Sequence, residues 1–282
     1  MTGRPAWAPA DVDLGRPSVA RVYDYFLGGS HNFESDRAFA EKAMRAYPEV
    51  RAVTWENRAV LRRIVRYLTG AGVDQFLDLG SGIPTEGNVH EVAQAANPAA
   101  RIVYVDRDDV AVVHSRHLLQ GNDRATAVLA DVRDAPRVLD LAADAGLDLD
   151  RPVAVLAFAL LHFFADADHP AELTARYMAA LPPGSHLALS HGSRRRSTAF
   201  DALAQVYDED DSPHEMRLRT PAEILAIFGD LELVEPGLVP SPLWRPDPSD
   251  APSGESTDDP SGDEDAEVTD DYPVHAGVGR RS

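Results

Sequence analysis

The spacing of apolar residues divides the chain into a helical first part and an alternating second part. Between Pro17 and Gly70, apolar side chains recur every three or four positions, which predicts helices with one buried face. Ser18 and Asn32 precede two of these patterns and are suited to cap the helices that follow. The predicted segments are an irregular start over 1–16 and a helical cap over 17–70, with helices at 18–27, 33–46 and 49–70.

Beyond residue 71, short apolar runs alternate with helical patterns, as parallel βαβ units require. Continuous Val, Leu and Ile runs are typical of strands that helices cover on both faces. These features predict an α/β core over 71–245 with a mostly parallel, doubly wound sheet. The predicted strands are 75–79, 101–106, 127–131, 153–158, 187–190, 231–234 and 274–278. The predicted helices of this part are 86–97, 110–119, 136–145, 170–181, 198–207 and 220–228.

Acidic residues are concentrated near the C-terminus. The 282 residues include 27 Lys and Arg against 46 Asp and Glu, a formal net charge of -19. Residues 246–272 contain eleven of the acids and no basic residue, and their Pro and Ser content predicts a solvated, disordered-like insertion. The last strand of the core is then expected within 273–282. Because so acidic a chain is unsuited to neutralise the phosphates of a nucleic acid, we expect no nucleic-acid partner.

Composition also excludes several kinds of site. With no cysteine, the chain can form no disulfide, thiolate metal site or cysteine nucleophile. Its apolar runs are shorter than the ~20 residues of a membrane span, and its first residues lack a signal-peptide pattern, so we expect a cytoplasmic protein without a membrane partner. Asp166, Asp168 and His169 are interpreted as a capping loop rather than a metal cluster, so no metal is predicted.

A glycine turn follows the first predicted strand. Gly80, Ser81 and Gly82 stand between this strand and a helix, where glycine lets a ligand approach the backbone closely. Dinucleotide enzymes place a third glycine three residues further on to admit a pyrophosphate, but this sequence has Thr85 there. Asp78, just before the turn, would repel a pyrophosphate and suits a cation. These features favour S-adenosylmethionine, which has an ammonium, a sulfonium and no phosphate.

Two further acids are predicted at the same edge of the sheet. Asp106 ends the second strand, 26 residues after Gly80, where an acid usually accepts hydrogen bonds from ribose hydroxyls. Asp131 ends the third predicted strand, where its carboxylate and the Val132 backbone amide can bind adenine. Because three successive parallel strands end at one edge, we expect Asp78, Asp106 and Asp131 to border one site.

Longer motifs resemble those of a known family. They are P-S-V-A-R-V-Y-D-Y-F-L-G-G-S-H-N at 17–32, E-N-R at 56–58, F-L-D-L-G-S-G-I-P-T-E-G-N-V-H-E at 76–91, V-Y-V-D-R-D at 103–108, A-D-V-R-D at 130–134, L-L-H-F at 160–163 and L-V-E-P-G at 233–237. Their pattern is similar to the actinobacterial S-adenosylmethionine-dependent methyltransferase family first catalogued as a domain of unknown function, over nearly the whole chain outside the tails.

The resemblance implies a Rossmann-like class I methyltransferase fold with an added N-terminal helical segment, and S-adenosylmethionine as cofactor. It implies no particular methyl acceptor. The long acidic insertion before Gly277 is a departure from the family pattern. The implied cofactor-binding residues are Asp78, Gly80, Ser81, Gly82, Asp106, Arg107, Asp131 and Val132, with Tyr23, Arg21 and Arg58 as further candidates. The two arginines are candidates to contact the methionine carboxylate, with a solvated surface position as the alternative for each.

Methyl transfer depends mainly on alignment of donor and acceptor and on exclusion of water. An acceptor that must lose a proton also needs a base. His162, beyond the fourth strand, and His191, beyond the fifth, are the candidates, with packing in the core as the alternative for each. Tyr23 is a third candidate, on a helix whose glycine-hinged loop, with Asp24 and His31, either closes as a lid or packs on the sheet.

The sequence therefore predicts an S-adenosylmethionine-dependent methyltransferase acting on a small-molecule acceptor. Two alternatives stay open from the residues alone. One is a non-catalytic protein that binds the same nucleoside and regulates another process. The other is a nicotinamide-dependent oxidoreductase, against which Asp78 and Thr85 argue.

Overall fold

The computed structural model describes residues 12–84, 87–194, 199–209, 214–247 and 272–282. Most of the predicted irregular start and acidic insertion lies outside these residues. The helices are α1 (Val19–Phe26), α2 (Glu34–Ala46), α3 (Val50–Gly70), α4 (Val89–Ala96), α5 (Asp109–Leu118), α6 (Ala135–Asp144), α7 (Pro170–Ala179), α8 (Ala199–Tyr207) and α9 (Pro221–Ala226). The strands are β1 (Gln75–Leu79), β2 (Arg101–Asp106), β3 (Ala125–Leu129), β4 (Ala154–Ala157), β5 (His186–Gly192), β6 (Glu232–Leu233), β7 (Val239–Pro240) and β8 (Val274–Arg280).

The strands form one sheet in the order β3-β2-β1-β4-β5-β8-β6, with β7 also paired to β8. Strands β1 to β5 are parallel, and β8 runs antiparallel to its neighbours. Successive strands are added in opposite directions from β1 and β4, so the chain reverses its winding between these two strands. A crevice opens at such a switch point, outside the carboxyl ends of the strands, and this is where ligands bind in doubly wound sheets.

Side chains that alternate along the strands build a core on each face of the sheet. Along β1, Phe76 belongs to one buried cluster and Leu77 to the other, as the two-residue period of a strand requires. Helix α3 covers the Phe76 face through Ile64 and Leu68, while α7 covers the Leu77 face through Tyr177. Both faces are therefore buried, which explains the continuous apolar runs in the sequence.

The predicted helical cap divides between two parts of the molecule. Helices α1 and α2 pack with α8 in a third buried cluster, which includes Val22, Phe39 and Phe200. The first turn of α3 joins this cluster through Val50 and Val53, whereas its later residues, such as Ile64 and Leu68, pack on the sheet. None of the helices in the described ranges is both long enough and apolar enough to cross a membrane.

Two differences in strand bounds matter for the site. Strand β3 ends at Leu129 rather than at 131, so Asp131 lies in the turn that follows. Strand β5 extends through Gly192, because it pairs with β8 along its whole length, including His191 with His275. His191 thus lies inside a central strand rather than beyond it. The prediction also missed β7, which consists of only two residues.

Candidate functional site

A cavity of about 410 Å³ lies at the carboxyl edge of the sheet, where the winding reverses. The ends of β1, β2 and β4 and the turn after β3 contribute its floor, while α1 and α3 form the opposite wall. It contains most of the predicted cofactor residues. These are Tyr23, Arg58, Asp78, Gly80, Ser81, Gly82, Asp106, Arg107, Asp131 and Val132.

The glycine turn is held against the second strand. The amides of Gly80 and Ser81 both donate to the Val105 carbonyl, at 2.8 and 3.1 Å. Both glycines of the turn have φ of 65°, a backbone conformation that other residues adopt only with strain. Among the described residues, a Cβ on Gly82 would meet no atom within 4 Å, whereas a Cβ on Gly80 would lie 2.5 Å from Leu160. The turn therefore leaves room for a ligand at Gly82.

Asp78 and Asp106 bring two buried carboxyl groups to one cavity. Burial raises the pKa of Asp78 to about 7, with Arg58 opposing this rise and Asp106 adding to it. Burial also raises the pKa of Asp106, although its oxygens accept from the amides of Asp108 at 2.8 Å and Gly82 at 2.7 Å. A positive ligand would relieve the cost of ionising both groups. This arrangement fits a cationic ligand and opposes a pyrophosphate.

The turn after β3 borders the cavity with a more exposed group. Asp131 accepts from the Arg133 amide at 2.9 Å and pairs with the Arg133 guanidinium at 3.2 Å. Val132 is buried, and its carbonyl accepts from the Tyr177 hydroxyl at 2.7 Å. Hydrogen bonds on both sides thus fix the turn where it borders the cavity.

On the opposite wall, Tyr23 makes two hydrogen bonds. Its hydroxyl accepts from Asn57 Nδ2 at 2.9 Å and donates to the Thr54 carbonyl at 3.4 Å. Burial raises the pKa of this phenol, while Arg58 and Asn57 oppose the rise. Tyr23 therefore stays protonated near neutral pH and is poorly suited to act as a base. Asn57 was not predicted as a site residue, although it belongs to the E-N-R motif beside Arg58.

Arg21 does not line the cavity, in contrast to the prediction that it contacts a ligand carboxylate. Its guanidinium is buried and pairs with Asp36 at 2.8 Å and Asp108 at 3.2 Å. The third nitrogen donates to the Arg16 carbonyl at 2.7 Å. With all three nitrogens engaged, Arg21 fixes α1 to α2 and to the start of α5.

His162 and His191 lie behind the cavity wall rather than in it. Both are buried, and burial lowers the pKa of each, to about 4 for His191. His162 Nδ1 accepts from the Gly192 amide at 3.3 Å. His191 Nδ1 donates to the Gly192 carbonyl at 2.7 Å, and its Nε2 accepts from Arg219 at 3.0 Å. These contacts correct the expectation that either imidazole faces an acceptor, and they match the alternative of a neutral core histidine.

The glycine-hinged loop after α1 is fastened to that helix. Asp24 is buried and accepts from the His31 amide at 3.0 Å and from Asn32 Nδ2 at 2.9 Å. A Cβ on Gly29 would come within 2.0 Å of the Asp24 carboxylate, so only glycine fits there. In this structure the loop is packed in place.

The sequence analysis did not predict several of the residues that line the cavity. Leu27, Leu61, Phe158 and Phe163 form an apolar part of the lining, and they come from three separate segments of the chain. His214 also lines the cavity, and burial, Arg107, Arg133 and Arg16 lower its pKa to about 4. Only folding brings these residues together. Within the described ranges, no group of three or more His, Asp or Glu side chains has an arrangement that could hold a metal ion.

Several known proteins share this sequence pattern and this fold. A family model described as S-adenosyl methyltransferase matches residues 5–282. No protein with a curated function matches the sequence. A crystal structure from Thermobifida fusca YX, assigned as a methyltransferase, is 38% identical, with a TM-score of 0.86 over 99% of this chain and 100% of that one.

Two further solved structures are similar. A DUF574 family protein from Streptomyces avermitilis is 35% identical, with a TM-score of 0.85 over 96% of this chain and 99% of that one. An O-methyltransferase family protein from Burkholderia thailandensis is 15% identical, with a TM-score of 0.50 over 90% of this chain and 65% of that one, a likeness of fold alone. These matches confirm the predicted Rossmann-like methyltransferase fold and S-adenosylmethionine as the cofactor. The chain belongs to the S-adenosyl methyltransferase family.

Proposed function

We propose that S-adenosylmethionine lies along the ends of β1, β2 and β3, and that a small-molecule acceptor occupies the apolar part of the same cavity. One observation carries this proposal. Two buried carboxyl groups, Asp78 and Asp106, border the cavity on either side of a glycine turn whose Gly82 face is open. The pair suits a positively charged nucleoside and would repel a phosphate.

Several of the predicted cofactor contacts have a physical basis in this arrangement. Asp78, which lines the cavity, is our candidate to face a positive group of the ligand. Each oxygen of Asp106 already accepts one backbone amide and keeps a second lone pair, so the carboxylate can also accept from two ribose hydroxyls. Asp131 and the backbone of Val132 remain our candidates for adenine, and Arg107 borders the same end of the cavity.

The acceptor is inferred from what surrounds the rest of the cavity. Leu27, Leu61, Phe158 and Phe163 provide an apolar wall from α1, α3 and the segment after β4. The net charge of -19 would oppose binding of a polyanion. A small acceptor with apolar surface therefore fits best.

S-adenosylmethionine, when bound, supplies a methyl group on a positively charged sulfur that departs readily as a neutral thioether. The protein has to align the acceptor with that carbon and exclude water. The apolar wall performs the second task. Since His162 and His191 do not reach the cavity, we expect an acceptor whose nucleophilic atom needs no proton transfer to either imidazole.

Calorimetric titration with S-adenosylhomocysteine tests the cofactor site. Asp106→Asn should weaken binding about 10- to 100-fold, because it removes charge-assisted hydrogen bonds to the ribose. Asp140→Asn removes an exposed acid on α6, away from the cavity, and should bind as the wild type does. Equal affinities for Asp106→Asn and wild type would refute the assigned site. NAD serves as the negative control, since its pyrophosphate would meet Asp78.

Turnover tests the acceptor. Methyl-labelled S-adenosylmethionine is incubated with the protein and a small-molecule library, and mass spectrometry follows the label. Transfer to a small molecule supports the proposal. Binding of the nucleoside with no transfer to any small molecule, or transfer only to protein or nucleic acid, would contradict it. The first of these results is what a non-catalytic regulator predicts.

A further inference from the structure

Two buried polar atoms on α3 lack a hydrogen-bond partner within the part of the chain that the structure describes. They are Asn57 Oδ1 and Arg58 Nε. Their residues are neighbours in the sequence, and both line the cavity. Native proteins seldom leave such atoms unpaired, because the protein then gives up hydrogen bonds to water without replacement. One atom is an acceptor and the other a donor, so a ligand that pairs with both must carry a donor and an acceptor.

Neighbouring groups restrict what these two side chains can do. Asn57 donates through Nδ2 to the Tyr23 hydroxyl at 2.9 Å, and Tyr23 donates to the Thr54 carbonyl at 3.4 Å. The carboxamide is thereby oriented, with Oδ1 left to accept from a ligand. Arg58 donates through Nη2 to the Gly87 carbonyl at 3.3 Å, which fixes the guanidinium and leaves Nε for another partner. Tyr23 thus acts as a positioning residue for Asn57.

We infer that Asn57 and Arg58 form a clamp for an α-amino-carboxylate group. In this clamp Asn57 Oδ1 accepts from the ammonium and Arg58 donates to the carboxylate. A single carbon carries both ligand groups, which suits a donor and an acceptor on adjacent residues of one helix. The inference rests on the proposed cofactor site in the same cavity, where this group is the methionine end of S-adenosylmethionine.

Charge supports the same assignment. Asp78 lines the cavity together with Arg58, and the two side chains are close enough to interact electrostatically, so a group of each sign stands at this part of the lining. A zwitterionic head group matches this pair, because its ammonium can face Asp78 while its carboxylate faces Arg58. An uncharged thioether would leave both groups unmatched. The clamp therefore predicts that the amino-acid end of the nucleoside contributes much of the affinity.

The test compares two nucleosides by calorimetry. S-adenosylhomocysteine carries the amino-acid group, whereas 5′-methylthioadenosine has the same adenosine and sulfur without it. The wild-type protein should bind the first at least about 10-fold more tightly. Arg58→Gln and Asn57→Leu should each weaken the binding of S-adenosylhomocysteine about 10- to 100-fold. Each should change the affinity for 5′-methylthioadenosine by less than about twofold. Arg58→Lys keeps the charge and should recover part of the loss.

A decarboxylated analogue, 5′-(3-aminopropylthio)-adenosine, separates the two halves of the clamp. Its binding should be weakened by Asn57→Leu but hardly changed by Arg58→Gln, since it keeps the ammonium and lacks the carboxylate. Arg66→Gln is the matched control, because Arg66 lies further along α3 and pairs with Asp247 at 3.4 Å. Thermal unfolding of each variant shows whether the fold is intact.

The outcomes distinguish the clamp from the site that contains it. If both nucleosides bind the wild type equally, or if the α3 variants weaken both by the same factor, the clamp is refuted while the cofactor site stands. If neither nucleoside binds the folded wild-type protein, the cofactor site itself is refuted and the clamp with it. If Asn57→Leu and Arg58→Gln lose affinity for S-adenosylhomocysteine selectively, and Arg66→Gln does not, the clamp is supported.

Discussion

The ionisation of Asp78 should make nucleoside binding depend on pH. Its pKa of about 7 means that about 3% of the side chains are ionised at pH 5.5 and about 50% at pH 7. If only the ionised form binds an ammonium, the apparent affinity follows this fraction and rises about 15-fold over the interval. The ammonium of S-adenosylhomocysteine stays protonated throughout, so the ligand does not add to the change.

Calorimetric titrations with S-adenosylhomocysteine at several pH values between 5.5 and 7 measure this slope. Asp78→Asn should bind weakly with an almost flat profile. His214 should contribute little, because its pKa of about 4 lies below the interval. Any slope left in Asp78→Asn belongs to other groups, including Asp106, whose pKa burial also raises. If the affinity of Asp78→Asn depended on pH as steeply as that of the wild type, the ionisation of Asp78 would not be the cause of the pH dependence.

The same substitution should stabilise the free protein at high pH. Because the folded-state pKa of Asp78 is above its unfolded value of 3.8, the folded chain holds the extra proton between pH 3.8 and about 7. Stability therefore falls as pH rises through this window, by at most about 4 kcal/mol. Asp78→Asn removes this loss, so urea unfolding should show a more stable variant at pH 8 and near-equal stabilities at pH 4. A less stable variant at pH 8 would contradict the assignment.

Three further substitutions test other parts of the site. Gly80→Ala should destabilise the protein by about 1 kcal/mol more than Gly82→Ala in urea unfolding, since both have φ of 65° but only the former places a Cβ within 2.5 Å of Leu160. Tyr23→Phe removes the hydroxyl that orients Asn57 in the clamp. In calorimetry it should weaken the binding of S-adenosylhomocysteine about 3- to 10-fold and leave the affinity for 5′-methylthioadenosine unchanged. His191→Leu removes the acceptor of the buried Arg219 guanidinium and should lower the unfolding free energy by about 1–3 kcal/mol. Nucleoside affinity should stay within about twofold of wild type. A loss of affinity as large as the loss of stability would contradict this structural role.

The sequence was most informative where local pattern and tertiary environment agree. The predicted bounds of β1 and β2 match the structure, because both strands are buried on both faces and their apolar runs end where burial ends. Asp78, Asp106 and the glycine turn then follow from topology, since parallel strands bring their carboxyl ends to one edge. The longer motifs indicate the same family that the family model matches, because they extend over most of the chain.

The sequence pattern gave wrong predictions for side chains whose partners are distant in the sequence. Arg21 lies within a family motif, yet Asp36 and Asp108 engage its guanidinium, and neither pairing can be deduced from spacing. The apolar pattern puts His191 beyond a strand because the pairing that lengthens β5 comes from β8, more than eighty residues further along the chain. Asn57 was missed although it belongs to the E-N-R motif, since asparagine on a helix is usually an exposed residue.

The amino-acid sequence by itself thus determined the order of the helices and of every strand except β7, the mostly parallel doubly wound sheet and the acids at its edge. Each of these depends on apolar periodicity or on residues close to a strand end, which are local properties of the chain. Tertiary structure alone decided which charged groups face the cavity and which are used within the core. That choice depends on burial and on partners contributed by remote segments, so it is fixed only when the helices pack on the sheet.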